Sequence, residues 1–232
     1  MRPRRRVAVR RGAPYLQVII KPLSTLLNPS SSTDAAPAFG DALPIEASLP
    51  TLDFLARRRS ASAMALRAPG PGEDELRRLL TLAARVPDHG KLAPWRFVIL
   101  RGAAKDRFVA GLEAIARDRQ DAAKAVAKLG KIRTPPLTVA VISRLAPGEI
   151  PEWEQRLSAG AVCAMLIIAA QAMGYGANWI TDWYAYDPGA RRLLGLDEDE
   201  QVAGFVQLGT AAEAPLERVR PDVASLTSEW TA

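Results

Sequence analysis

The chain has 232 residues, 48% of them hydrophobic, a single histidine, a single cysteine and a formal charge of +6. This length and apolar content fit one soluble domain with a sizeable core, and exclude a chain too polar to fold. Cys163 has no partner for an internal disulfide, which points to a reducing compartment, cytoplasmic by default.

The charge is concentrated at one end. The first eleven residues, MRPRRRVAVRR, carry six arginines and no acid, so everything after Arg11 sums to zero. A nucleic-acid-binding domain would carry its basic stripe on the folded body, and no nucleic-acid partner is expected. No acid occurs from Met1 to Thr33, and PSSST and several prolines leave the segment poor in core-forming residues. Residues 1–48 are therefore read as a disordered or non-domain extension and 49–232 as the domain. The Arg- and Ser-rich start resembles an organelle transit peptide, but its apolar patch LQVII is shorter than the ~7–15 residues of a secretory core.

TLDFLARRR is expected to form a short first helix. GEDELRRLLTLAAR forms a second, with Leu76, Leu79, Leu80, Ala83 and Ala84 at helical spacing and Glu73, Asp74 and Glu75 at the end where the helix dipole favours acids. WRFVILR reads as a strand, Ala103 to Lys128 as one long polar helix, and LTVAVIS, after a Pro-Pro break, as a doubly buried strand. PEWEQRLSAGAVCAMLIIAAQAMG begins with Pro151 in a favoured first-turn position and is apolar on every face up to Gly174. Its most apolar run, Ala159 to Met173, falls short of the ~20 residues that span a bilayer, so no membrane helix is expected. A helix without a polar side needs cover all round, which predicts a homodimer with this helix near the interface; a central helix of a monomer is the alternative. GANWIT and VAGFVQLGT supply the last strands, with DPGARRLLG as a short helix between them. Helices and strands mix without regular βαβ spacing, so the fold class is α+β.

One histidine and one cysteine do not make up a zinc ligand set, so no metal is expected. G-x-S-x-G, a Walker loop and G-x-G-x-x-G after a strand are all absent from the sequence, which removes support from hydrolase, nucleotidase and Rossmann readings. What remains is a distributed set: RRRS at 57–60, RVPDHGKLAPW at 85–95, GYGANWIT at 174–181, and GFVQLGT at 204–210 followed by Arg218 and Arg220. Taken singly, an arginine run is a solvated helix end and Trp95 is a core residue at the start of a strand.

In this order, Arg58-Arg59-Ser60, Arg85 to Phe97, Gly174 to Trp179 and Gly204 to Thr210 resemble the nitroreductase family of FMN-dependent oxidoreductases, in its short NAD(P)H nitroreductase branch. The resemblance covers residues 51–222. It implies a nitroreductase-like α+β fold with helices flanking a central mixed or antiparallel sheet, formed as an intertwined homodimer with FMN at the subunit interface. It also implies ping-pong hydride transfer from NAD(P)H through flavin N5 to a small-molecule acceptor such as a nitroaromatic or quinone, with no membrane partner. The flavin carries the chemistry, so no catalytic side chain is demanded. Arg58, Arg59 and Ser60 match the phosphate and ribityl contacts, Arg85 and His89 match positions that contact FMN, and Trp179, Ile180 and Thr181 match a stretch on the far side of the cofactor. Arg220, or Arg218, matches the closure of the phosphate site. Three departures stand out: Ser62 where some relatives place a lysine, Ala93 where the branch usually keeps glutamine, and Ile180-Thr181-Asp182 where it often has Arg-Ser-Gly.

Overall fold

A computed structural model describes residues 37–231; most of the expected extension, residues 1–36, lies outside them. The first helix, α1 (Leu49–Arg57), begins at Ser48, whose Oγ accepts the Thr51 N–H at 3.4 Å. A two-residue strand β1 (Leu66–Arg67) follows, then α2 (Glu73–Ala83), β2 (Trp95–Arg101), α3 (Gly102–Arg117), α4 (Ala122–Lys128), α5 (Gly130–Arg133) and β3 (Leu137–Arg144). The second half contains α6 (Glu152–Ala172), β4 (Gly176–Ile180), α7 (Pro188–Leu193) and β5 (Glu200–Ala211).

All pairings in the five-stranded sheet are antiparallel, and β5 organises them. It pairs with β3 from Glu200 to Leu208, with β4 from Phe205 to Gly209, and with β1 at Thr210 and Ala211, while β2 adds to the outer edge of β3. Alternate side chains of β3 serve opposite faces. Ala140 and Ile142 enter the cluster built on Phe108, Leu112, Leu129, Tyr184 and Phe205, which joins the sheet to α3, α4, α5 and α7. Val139 and Val141, also fully buried, face the side covered by α6. This is the expected α+β class, with β2, β3, β4 and β5 at the expected segments and a short β1 that was not expected.

One expectation changes. The long polar helix is broken after Arg117, although no glycine or proline stands between Asp118 and Asp121. The cause is tertiary: Arg119 lies 4.9 Å over the Trp183 ring and pairs with Asp121 and Asp187, contacts that a continuous helix would forgo. Among the described residues α6 is not covered all round, which leaves open a face of the kind the expected homodimer contact needs. Trp153 and Leu157 are 69% and 54% exposed, and Ala161, Ala164 and Ile168 continue the same stripe half-buried. With its polar first turns included, α6 has 21 residues and is long and apolar enough by length and composition to cross a membrane, but its other face packs on α2, β3, β4 and β5.

Candidate functional site

The chain leaves α1 at Arg58 and runs beside β4. The Ala61 N–H donates to the Ala177 carbonyl at 3.1 Å, and Asn178 Nδ2 donates to the Ala61 carbonyl. Gln171, the polar residue that interrupts the apolar half of α6, donates from Nε2 to the Arg59 carbonyl. These bonds hold Arg58 and Arg59, with Ser60 next in the chain, at a cleft of ≈ 480 Å³ whose lining includes Phe54, Arg58, Arg59, Gln171, Tyr175 and Pro215. Arg58 Nη1 and Gln171 Oε1 are buried there without a hydrogen-bond partner among the described residues. Buried polar atoms are nearly always paired, so an unpaired guanidinium N–H beside a cleft marks a place for an acceptor, above all an anion.

The segment after β5 closes over the same motif. Arg220 Nη2 donates to the Arg58 carbonyl at 3.3 Å and its Nε to Glu217 Oε1 at 2.9 Å. Arg59 Nε donates to the Leu216 carbonyl at 2.9 Å and stands 3.9 Å from Glu217. Arg220, not Arg218, is therefore the C-terminal guanidinium at the motif; Arg218 contributes its backbone N–H to Glu217. That N–H first, with the Arg220 guanidinium, holds the Glu217 carboxyl below the usual carboxylate range.

On β4, the Trp179 indole N–H reaches the Ala203 carbonyl at 3.2 Å. Ala203 is the extra residue of a β-bulge, where the β3–β5 register shifts between Val141 and Ile142, so its carbonyl is released from the ladder. The indole crosses Gly204, where any Cβ would collide with it, and its far edge comes 4.0 Å from the position a Cβ on Gly160 would take. The Trp of one motif and the Gly of another are thus a matched pair. Ile180 packs on the α3–α5 side of the core, Thr181 is half-buried at the strand end, and Asp182 accepts from the Trp183 N–H at 2.8 Å and from Lys128 and Lys131 at 3.0 Å each. Burial raises the Asp182 carboxyl, but the Trp183 N–H and the two ammonium groups outweigh it and hold it below the usual range.

Arg85 and His89 sit elsewhere. Arg85 is exposed just beyond α2; Ser158 Oγ donates to the Pro87 carbonyl at 2.8 Å, and His89 Nδ1 lies 2.6 Å from Glu154 Oε2. Ser158 and Glu154 belong to the first half of α6, whereas Gln171 holds Arg59 near its last turn. At 1.5 Å per residue, the thirteen residues from Ser158 to Gln171 separate the two attachments by roughly 20 Å. Arg58, Arg59 and Arg220 thus come together near the last turn of α6, with Ser60 next in the chain, whereas Arg85 and His89 lie by its first half; the Trp179 ring also reaches toward Gly160 in that first half, and Ile180 turns to the α3–α5 side. Gln171, Asn178 and Glu217 were not singled out as site residues from the sequence, and Asp182 stood out only within the Ile180-Thr181-Asp182 departure. Of the first three, Gln171 alone left a sequence signal, as a polar residue inside an apolar helix.

Residues 55–210 match the model of the nitroreductase family. A protein of Escherichia coli strain K12 named "Putative NAD(P)H nitroreductase YdjA" is 35% identical over 162 residues, which cover 68% of this chain and 87% of that protein. A Haemophilus influenzae protein bearing the same enzyme name is 30% identical over 165 residues, 70% of this chain and 89% of its own length. Among solved structures, a nitroreductase-like family protein from Bacillus cereus superposes with a TM-score of 0.70 at 20% identity, over 81% of this chain and 98% of that one. A nitroreductase with bound FMN from Bacteroides fragilis gives 0.61 at 21% identity, over 79% and 100%. Family model, relatives and fold agree over the segment that carries all four motifs, and the chain belongs to the nitroreductase family.

Proposed function

We propose that this protein is an FMN-dependent oxidoreductase that accepts hydride from NAD(P)H and passes it to nitroaromatic, quinone or similar acceptors in alternating half-reactions at one pocket. The observation that carries the reading is the buried, unpaired Arg58 Nη1 over the cleft, within the family's Arg-Arg-Ser motif. A flavin phosphate bears nearly two negative charges, and Arg forks and hydroxyls suit it through charge-assisted hydrogen bonds. Arg58, Arg59, Ser60 and Arg220 are the residues that would hold it, and the donor set fits the group. When bound, the flavin supplies the hydride-accepting and hydride-donating centre at N5. The protein's own part is to bind, orient and shield. Trp179, wedged between β5 and α6, fixes the end of β4, and Asp182 ties Thr181's neighbourhood to α4 and α5. Cys163 takes no part as a nucleophile: it is fully buried, and burial pushes its thiol up to about 12.

The working unit in this reading is a homodimer. The Arg58–Arg220 group and the Arg85–His89 loop lie toward opposite ends of one α6, and the helix face between them is the apolar stripe that the described residues leave open. A two-fold contact along that stripe brings the Arg85–His89 loop of one copy toward the Arg58 group of the other. Leu49, Leu52 and Leu55 of α1 and Leu216, Val219 and Val223 after β5 add exposed apolar surface that suits the same contact. The catalytic domain is placed at residues 49–232, and the location in the cytoplasm. Anaerobic titration with NADH and NADPH tests the activity. A yellow dimer that bleaches and regains colour with a quinone agrees with the reading; a yellow protein that never bleaches points to flavin storage or regulation; a colourless protein that FMN does not reconstitute overturns it.

A further inference from the structure

The loop between α2 and β2 is built around Asp88. Its carboxylate accepts the Leu92 N–H at 3.2 Å on Oδ1 and the Ala93 N–H at 2.8 Å on Oδ2, and its carbonyl accepts the Lys91 N–H at 3.2 Å. Three consecutive amides thus converge on one residue. The backbone they hold is unfavourable in itself: Gly90, Lys91 and Ala93 have φ of 74°, 55° and 45°. Glycine accepts the left-handed region freely, but lysine and alanine bring Cβ too close to the neighbouring carbonyl. Outside the loop, Ser158 fixes Pro87, Glu154 fixes His89, and Ile150 packs against Gly90. Those anchors fix the first part of the loop, and the Arg144 N–H of β3 holds the Pro94 carbonyl at 3.0 Å at its far end, but none of them reaches residues 91–93.

We propose that Asp88 is a positioning residue that holds the 90–93 turn, with its left-handed Gly90, Lys91 and Ala93, in the course required for the loop to meet the flavin, so that its carboxylate sets cofactor affinity without touching the cofactor. The proposal rests on the FMN reading above. Strained backbone persists only where its surroundings over-determine it; here the Trp95 N–H holds the Ala93 carbonyl at 2.7 Å, and the side chain that holds the amides of Leu92 and Ala93 is the Asp88 carboxylate. His89, the residue that drew attention in the sequence, is an anchor of the loop on α6, and Asp88 is what shapes it. If only the competent fraction of loop conformations binds, removing the carboxylate lowers that fraction and raises the apparent Kd in proportion. Glycine at position 93 should restore it, because glycine needs no support there.

The test uses the full chain as Asp88→Ala, Ala93→Gly and the double variant. FMN Kd is measured by flavin fluorescence, and exchange of the Leu92 and Ala93 amides is followed in flavin-free protein. The expected result is amide exchange at least about 10-fold faster in Asp88→Ala, an FMN Kd weakened by about 10-fold, and recovery to within about 3-fold in Asp88→Ala/Ala93→Gly. An unchanged Kd with accelerated exchange shows that the staple exists but does not position the cofactor loop, and overturns the proposal while leaving the FMN reading intact. A loss of affinity that Ala93→Gly does not recover also overturns it, since Asp88 would then act through its charge. Failure of the unsubstituted protein to bind FMN is a separate result that sinks the functional reading itself. Asp88→Asn, which keeps one acceptor oxygen, gives an intermediate Kd if the proposal holds; a Kd as weak as that of Asp88→Ala would count against it.

Discussion

Replacing Gly204 by alanine tests whether the Trp of one family motif and the Gly of another are one packing unit. A Cβ on Gly204 would lie well inside the 3.0 Å of Trp179 Nε1 and Cδ1 below which real Cβ atoms essentially never come. The obstruction is the Trp179 ring, 39% exposed and lying across β5, so the indole must turn aside, and turning breaks its 3.2 Å bond to the Ala203 carbonyl. Overpacking of this kind costs about 1–3 kcal/mol. The lost hydrogen bond adds about 0.5–1.5 kcal/mol, for a total near 2–4 kcal/mol. For a domain of this size that is a fall in melting temperature of roughly 5–15 °C. Thermal or urea unfolding of flavin-free protein measures it, with Trp179→Ala and the double variant completing a cycle. Without the ring, Gly204→Ala should cost less than about 0.5 kcal/mol, because an alanine in a strand is otherwise no worse than glycine. An equal cost in both backgrounds, or no cost in either, would refute the reasoning.

Arg58→Ala removes the buried unpaired donor, so FMN affinity should weaken by roughly 10- to 150-fold, the equivalent of a charge-assisted bond of about 1.5–3 kcal/mol, and the protein should purify colourless. Glu217→Gln removes the carboxylate that engages Arg220 and stands beside Arg59, so FMN should bind more tightly, with the gain largest at low salt; weaker binding would show that Glu217 orients those arginines. Burial lowers the Lys105 ammonium to about 8, although it donates to the Arg133 and Pro135 carbonyls. The unfolded chain binds the extra proton between pH 8 and the ordinary value of 10.5, so this lysine's unfavourable contribution is full below pH 8 and shrinks as pH rises through that window. The stability of the parent relative to Lys105→Met should therefore rise with pH by up to about 1.4 kcal/mol per unit there, and a flat difference would contradict the buried-ammonium account.

Local chemistry carried much of this protein into its sequence. Apolar runs bounded by Pro, Gly and acidic helix starts placed α2, β2, β3, α6, β4 and β5, because a strand buried on both faces and a helix capped by acids are local patterns. The four motifs pointed to the family for a similar reason: each is a short stretch with a fixed local task. The break between α3 and α4 was not legible, since it depends on Trp183, far along the chain, offering a better place for Arg119 than the next helical turn. Nor was the shape of the site. Only the packed structure places Gln171 on Arg59, pairs Trp179 with Gly204, selects Arg220 over Arg218, and sets the Arg58 and His89 groups at opposite ends of α6. Those are contacts between distant residues, fixed by how helix and sheet faces close on each other, and a one-dimensional pattern does not encode them in readable form.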